Sequence, residues 1–120
     1  MKEIFYPHYK KNSQLKLAKK QMTAGGNILS FEIKVDNSRS KKRAFSFLNN
    51  LKLINISNNL GDNKSLITHP YTTTHHRLSE KEKRSLRISK NLIRLSIGLE
   101  DCDELITDID TSLKKVFRGK

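Results

Sequence analysis

The sequence predicts an α+β domain built as a two-layer sandwich, a mainly antiparallel sheet with helices. Three observations predict it. Leu29, Phe31, Ile33 and Val35 alternate with Ser30, Glu32 and Lys34, the period of a strand with one apolar face. Ala44, Phe47, Leu48 and Leu51 recur at i, i+3, i+4 and i+7, the period of a helix with one apolar stripe. Helix and strand patterns then alternate along the chain, the order expected when helices pack on a sheet.

Taken in order, Ile4 to Tyr9 reads as a short extended segment that Pro7 interrupts. Gln14 to Met22 reads as a short helix with Leu15, Ala18 and Met22 on one side and Lys16, Lys19 and Lys20 outward. Thr23-Ala24-Gly25-Gly26 ends it as a helix stop and turn. A phosphate-cradling loop would need its glycines after a strand and before a helix, and here the order is reversed. Ile28 to Val35 is the clearest strand, and Asp36 to Ser40 a turn or cap before a helix that runs through Asn50. The Lys41-Lys42-Arg43 run reads as the solvated first face of that helix. Leu53 to Ile56 and Ser65 to Thr68 read as strands. Ser79 with Glu82 has the spacing of a capping box and opens a short charged helix to about Leu86.

The most informative stretch is Leu92 to Glu104. Ile93, Leu95 and Ile97 share one face of a strand; Leu92, Arg94 and Ser96 share the other. Gly98 permits a sharp turn, and Asp101 with Glu104 caps a helix whose apolar positions are Leu105, Ile106, Ile109, Leu113, Val116 and Phe117. Acids crowd the start of this helix and bases its end, as the helix dipole favours. Arg94 therefore stands in the middle of a rigid element, away from the more apolar face. A guanidinium is a planar fork able to grip a carboxylate with two parallel hydrogen bonds. The plainer reading is an arginine on a solvated sheet face.

Composition narrows the function classes. A chain of 120 residues allows one core. With 35% hydrophobic residues, 7% aromatics and no Trp, that core is lean, and a neighbour would help bury its apolar faces. No apolar run is long enough to span a membrane, and the opening residues lack the apolar centre of a signal peptide. The single cysteine, Cys102, excludes an internal disulfide framework and fits a reducing cytoplasm; its place at a helix start reads as structural. The net charge of +12 is uneven: +8 over residues 1–43, +5 over 44–90 and −1 over 91–120. A basic front half suits nucleic acid. Lys and Asn are abundant throughout, however, and no aromatic-interleaved basic groove is present. His69, His75 and His76 are close in sequence but lack the helical spacing and cysteine company of a metal site. No nucleophile elbow is present.

Three blocks then carry a resemblance in the same order: LAKKQMTAGGNILSFEI, NNLGDNKSLITHPYTTTHHRLS and LIRLSIGLEDCDELITDI. They resemble the C-terminal domain of the Cys/Met-metabolism (trans-sulfuration) family of pyridoxal-phosphate enzymes, in particular its O-succinylhomoserine sulfhydrylase branch. The resemblance covers about Tyr6 to Leu113. It implies the small domain of the aspartate-aminotransferase type (fold type I), over residues 1–120, with the large cofactor domain absent. It also implies a cytoplasmic enzyme of methionine and cysteine metabolism, a transferase or lyase and a homotetramer, acting on an amino acid such as an O-acylhomoserine. Arg94 matches the arginine of the family's L-x-R-x-S-x-G-x-E block, which binds the substrate α-carboxylate. Asn59 matches a serine near the cofactor and substrate, and Thr74 a position lining the site. Arg87 stands where glycine is common, and Tyr71 replaces a small residue. Pyridoxal 5'-phosphate, its Schiff-base lysine and its other contacts belong to the large domain, so this chain holds no catalytic residue of its own. The expectation is a split subunit that works with a separate cofactor-domain chain; a non-functional remnant and a small basic nucleic-acid-binding protein are the alternatives.

Overall fold

The computed structural model describes residues 3–34 and 40–118. Among the described residues nine elements follow one another: β1 (Glu3–Phe5), α1 (Leu15–Gln21), β2 (Ile28–Glu32), α2 (Ser40–Asn49), β3 (Asn55–Ile56), β4 (Leu66–Thr68), α3 (Glu80–Ser85), β5 (Leu92–Ser96) and α4 (Cys102–Arg118). The strands form one sheet in the order β1-β2-β5-β4-β3. Three of its four pairings are antiparallel; β3 alone runs parallel to β4. β5 is the middle strand, so a side chain mounted on it is flanked on both sides.

Register decides what each face holds. Phe31 pairs with Ile93, and Leu95 with both Leu29 and Ile67. Phe31, Ile33, Ile67, Ile93 and Leu95 pack with Ala44, Phe47 and Leu48 of α2 and with Leu105 and Val116 of α4 in one buried cluster. Phe31 and Phe47 meet edge to face, ring centres 5.8 Å apart, a favoured aromatic geometry. The sheet and the α2–α4 layer are the predicted sandwich. The other sheet face carries Ser30, Thr68, Arg94 and Ser96.

The helices follow their signals. Ser79 and Glu82 form the reciprocal capping box of α3. The Asp101 carboxylate accepts the Glu104 N–H at the start of α4. Asp108, one turn further along, accepts the N–H groups of Lys52, Leu53 and Ile54 at 2.8, 2.9 and 3.0 Å. This three-way cap takes Leu53 and Ile54 out of the expected strand, leaving only Asn55–Ile56 on the sheet edge. Along α4, Ile106 and Phe117 point to solvent. The expected strand end at Val35 lies outside the described residues. The first helix forms but buries no residue; Leu17 on it and Met22 at its C-cap are 48% and 40% exposed. After it, Gly25 lies so close to the Tyr6 ring that a Cβ there would stand 2.4 Å from it.

Candidate functional site

Arg94 sits at the centre of β5, in register with Ser30 of β2 on one side and Thr68 of β4 on the other. Both neighbours are small, so the guanidinium has room above the sheet. Its Nη2 donates to the Asn58 carbonyl at 2.9 Å. A guanidinium carries five N–H donors, and this contact uses one. Partial burial lowers its pKa from the ordinary value, yet an arginine stays cationic at neutral pH. Among the described residues no carboxylate lies within 4 Å of it. The arrangement is a half-desolvated, rigidly mounted cation with donors to spare, suited to a carboxylate supplied from outside.

The connection from Ser57 to Ser65 crosses the edge of this face, and the Leu92–Glu104 stretch holds it there. The Ser96 hydroxyl accepts the Gly61 N–H at 3.0 Å. The Glu100 carboxylate accepts both the Ser65 N–H and the Ser65 hydroxyl, each at 2.8 Å. Chiefly because of that backbone N–H, the Glu100 pKa falls below the usual carboxylate value. The Ser65 hydroxyl in turn accepts the Gly98 N–H at 2.9 Å, and Leu99 N–H donates to the Asn63 carbonyl at 2.8 Å. Gly98 is required here by close approach, since a Cβ would fall 2.4 Å from the Asn63 oxygen and 2.6 Å from the Ser65 nitrogen. The serine, glycine and glutamate that follow Arg94 therefore fasten the connection that supplies its hydrogen-bond acceptor.

A hydroxyl network extends the site. Thr68 donates to the Asn58 side-chain oxygen at 2.9 Å and stands 3.0 Å from the Thr73 hydroxyl. Thr73 reaches the His69 carbonyl at 2.8 Å. His69 is buried between the Lys90 carbonyl, 2.6 Å from Nε2, and the Thr72 hydroxyl, 2.8 Å from Nδ1. The carbonyl fixes Nε2 as the protonated nitrogen, and burial above all pushes the imidazole pKa below its ordinary value, so the ring is neutral.

The three expected site residues fare differently. Arg94 holds the position described. Asn59 is exposed beside Asn58, its N–H bonded to the Ser57 hydroxyl at 3.2 Å. Thr74 is exposed, and its hydroxyl pairs with His75 Nδ1 at 2.7 Å; the threonines that join the Arg94 network are Thr68 and Thr73. The contributions of Asn58, Thr68, Ser96 and Glu100 escaped sequence reasoning. Ser96 and Glu100 stand at fixed spacing from Arg94 in the quoted block, which is the signal that could have found them.

The α+β fold, with one helix-covered sheet face and, on the other, an arginine that has no carboxylate within 4 Å among the described residues, is consistent with fold-type-I pyridoxal-phosphate enzymes. Solved structures show the same fold: cystathionine gamma-lyase from Lactobacillus plantarum complexed with L-serine superposes with a TM-score of 0.86 at 30% identity, over 96% of this chain and 29% of that one. A putative O-acetylhomoserine (thiol)-lyase from Campylobacter jejuni gives 0.82 at 38% identity, over 94% and 26%. The chain belongs to the Cys/Met metabolism PLP-dependent enzyme family, which it matches over residues 1–114. It is 44% identical over 110 residues to an O-succinylhomoserine sulfhydrylase of Mycobacterium tuberculosis, covering 92% of this chain and 27% of the relative. An L-methionine gamma-lyase of Fusobacterium nucleatum is 35% identical, with 97% and 28% covered. The chain thus spans about 27% of the length of the first of these relatives.

The family's cofactor is pyridoxal phosphate, which needs a lysine for its aldehyde and an acid at its ring nitrogen. Among the described residues, neither a lysine nor a carboxylate is hydrogen-bonded to Arg94, Ser30, Thr68 or Ser96. The hydroxyls of Thr68 and Ser96 are engaged within the protein. These residues do not fit the cofactor; the N–H donors of Arg94 are of a kind suited to a carboxylate.

Proposed function

We propose that this chain is the substrate-carboxylate side of a PLP-dependent trans-sulfuration enzyme of the O-succinylhomoserine sulfhydrylase or cystathionine γ-synthase type, and that polypeptide beyond these 120 residues, on a separate large-domain chain, carries the cofactor and the catalytic residues. Residues 1–120 act as one small domain in this reading. The observation that carries it is Arg94: half-buried, fixed on the middle strand, without a carboxylate partner among the described residues, and bonded to a single backbone carbonyl. The complex of a structural relative with L-serine, an amino acid, supports a carboxylate as its ligand.

Arg94 binds and orients. It fixes the carboxylate of an amino-acid substrate such as an O-acylhomoserine, and so presents the remainder of the molecule to the cofactor in one pose. Asn59, on the adjacent connection, and Thr74, on the turn after β4, border the same substrate. In an enzyme assembled from this chain and its cofactor-bearing partner, Arg94→Ala weakens amino-acid binding by about 30-fold or more, the loss expected for a charge-assisted pair, and leaves the cofactor bound. Substrate affinity and cofactor content are read separately, by competition binding and by absorbance. Unchanged substrate affinity contradicts the assignment of Arg94.

A further inference from the structure

The Arg94 guanidinium is held at one point. Ser30 of β2 and Thr68 of β4 flank it in register, and both are too short to wedge it from the sides. Among the described residues its hydrogen bond is the donation from Nη2 to the Asn58 carbonyl at 2.9 Å. The pose of the cation therefore depends on where that carbonyl stands. Asn58 is exposed and lies in the connection between β3 and β4. This connection is tied down on either side of it. The Ser57 N–H donates to the Ile67 carbonyl at 3.0 Å, and the Gly61 N–H to the Ser96 hydroxyl at 3.0 Å. Between those ties the Asn59 N–H bonds only within the connection, to the Ser57 hydroxyl. The far tie ends on a glycine with φ of 71°, the residue with the most backbone freedom.

The Asn58 side chain anchors this span to the sheet. Its Oδ1 accepts the Thr68 hydroxyl at 2.9 Å. Thr68 is 1% exposed, on a strand buried throughout, so its hydroxyl is a fixed post. The Thr73 hydroxyl backs it at 3.0 Å and reaches the His69 carbonyl at 2.8 Å. A buried hydroxyl costs free energy unless it is hydrogen-bonded, and this one makes its bond to the connection. Asn58 thus has two arms: its side chain grips β4, and its carbonyl receives Arg94 of β5. Thr68 and Arg94 face each other in the β4–β5 pairing, so the two arms close a ring of three residues.

We propose that Thr68 and Asn58 are positioning residues for Arg94: the Thr68–Asn58 bond sets the carbonyl that orients the guanidinium, so that its remaining N–H donors face a carboxylate already aligned. This rests on the reading of Arg94 as the partner of the substrate carboxylate. A side chain ordered before its ligand arrives need not be ordered by it, and affinity rises accordingly.

The test begins with the full chain, by NMR of its guanidinium groups. A bond to Nη2 slows rotation of the Arg94 guanidinium about Nε–Cζ. Thr68→Val and Asn58→Ala each speed that rotation at least about threefold, as loss of one hydrogen bond implies, and Thr68→Ser, which keeps the hydroxyl, restores the slow rate. Asn58→Ala alters an exposed side chain and decides the matter even where Thr68→Val does not fold. In the enzyme assembled with its cofactor-bearing chain, both variants raise KM for the amino-acid substrate about threefold to tenfold while kcat and the cofactor absorbance hold. A merely structural role would instead reduce the amount of folded enzyme, and so the apparent kcat, at unchanged KM. Rotation left unchanged in Asn58→Ala overturns the proposal, as does a KM that responds to Arg94→Ala but to neither variant. A KM that ignores Arg94→Ala itself overturns the reading of Arg94 as the carboxylate's partner, and with it the role proposed for Thr68 and Asn58, whatever the rotation rates show.

Discussion

Single residues in this chain act mainly by holding backbone in place. Glu100 is an example, since its carboxylate carries two hydrogen bonds from Ser65 and its pKa is lowered. A depressed carboxylate pKa means the unfolded chain binds the proton more readily. The stabilisation is complete above the ordinary value of 4.5 and is lost as pH falls from there through the folded value. Urea unfolding measured from pH 7 to pH 3 should show stability dropping below about pH 4.5, and Glu100→Gln should lower stability at pH 7 while flattening that acid limb. Arg87 is a second example. Its φ of 59° is left-handed, the conformation that favours glycine after a helix, which agrees with the glycine that the family resemblance leads one to expect there. Its guanidinium meets Glu3 at 3.0 Å and stacks 5.0 Å from the Phe5 ring. The left-handed backbone costs about 1–2 kcal/mol, and an exposed ion pair returns less than about 1. Arg87→Gly is therefore expected to match or exceed the natural chain by up to about 1 kcal/mol in denaturant unfolding, and Arg87→Ala to fall below both, since alanine keeps the strain and loses the contacts.

At the scale of elements, periodicity made the main ones legible. Phe31 and Ile33, Ala44, Phe47 and Leu48, and Ile93 and Leu95 were all readable as buried faces, because alternation and helical spacing are local properties of the chain. The opposite orientation of Arg94 followed from the same alternation, whereas its expected role toward a carboxylate came from the family resemblance and not from periodicity. What escaped was long-range. The parallel pairing of β3 with β4, the Asp108 cap on 52–54 and the Asn58 bridge between Arg94 and Thr68 join residues distant in sequence, and no local pattern encodes them. Amphipathic spacing in α1 predicted a buried stripe that the described residues do not supply. Asp108 ties α4 to the chain that leads into β3, so its removal should be costly. Asp108→Ala strips three backbone N–H groups of their acceptor and is expected to lower unfolding free energy by about 2–3 kcal/mol. An effect under about 0.5 kcal/mol in urea unfolding would show that water replaces the carboxylate at no cost.

For the whole molecule, one face of the sheet is closed by α2 and α4, while the other presents Arg94 and a network of serines and threonines. Leu60 and Leu99, close to the connection that borders this face, are 48% and 85% exposed. With α1 also unburied, the described residues leave apolar surface exposed, and the chain spans about 27% of the length of the first relative it matches. The central claim is that Arg94 works with a cofactor carried by other polypeptide. The direct measurement is affinity capture of the tagged chain from its own cells, with mass spectrometry of what accompanies it and an absorbance scan for pyridoxal phosphate. Recovery of a pyridoxal-phosphate-bearing chain of the large-domain type is the predicted result. Recovery of the chain alone and colourless would contradict the claim and leave the Arg94 match as a mark of ancestry.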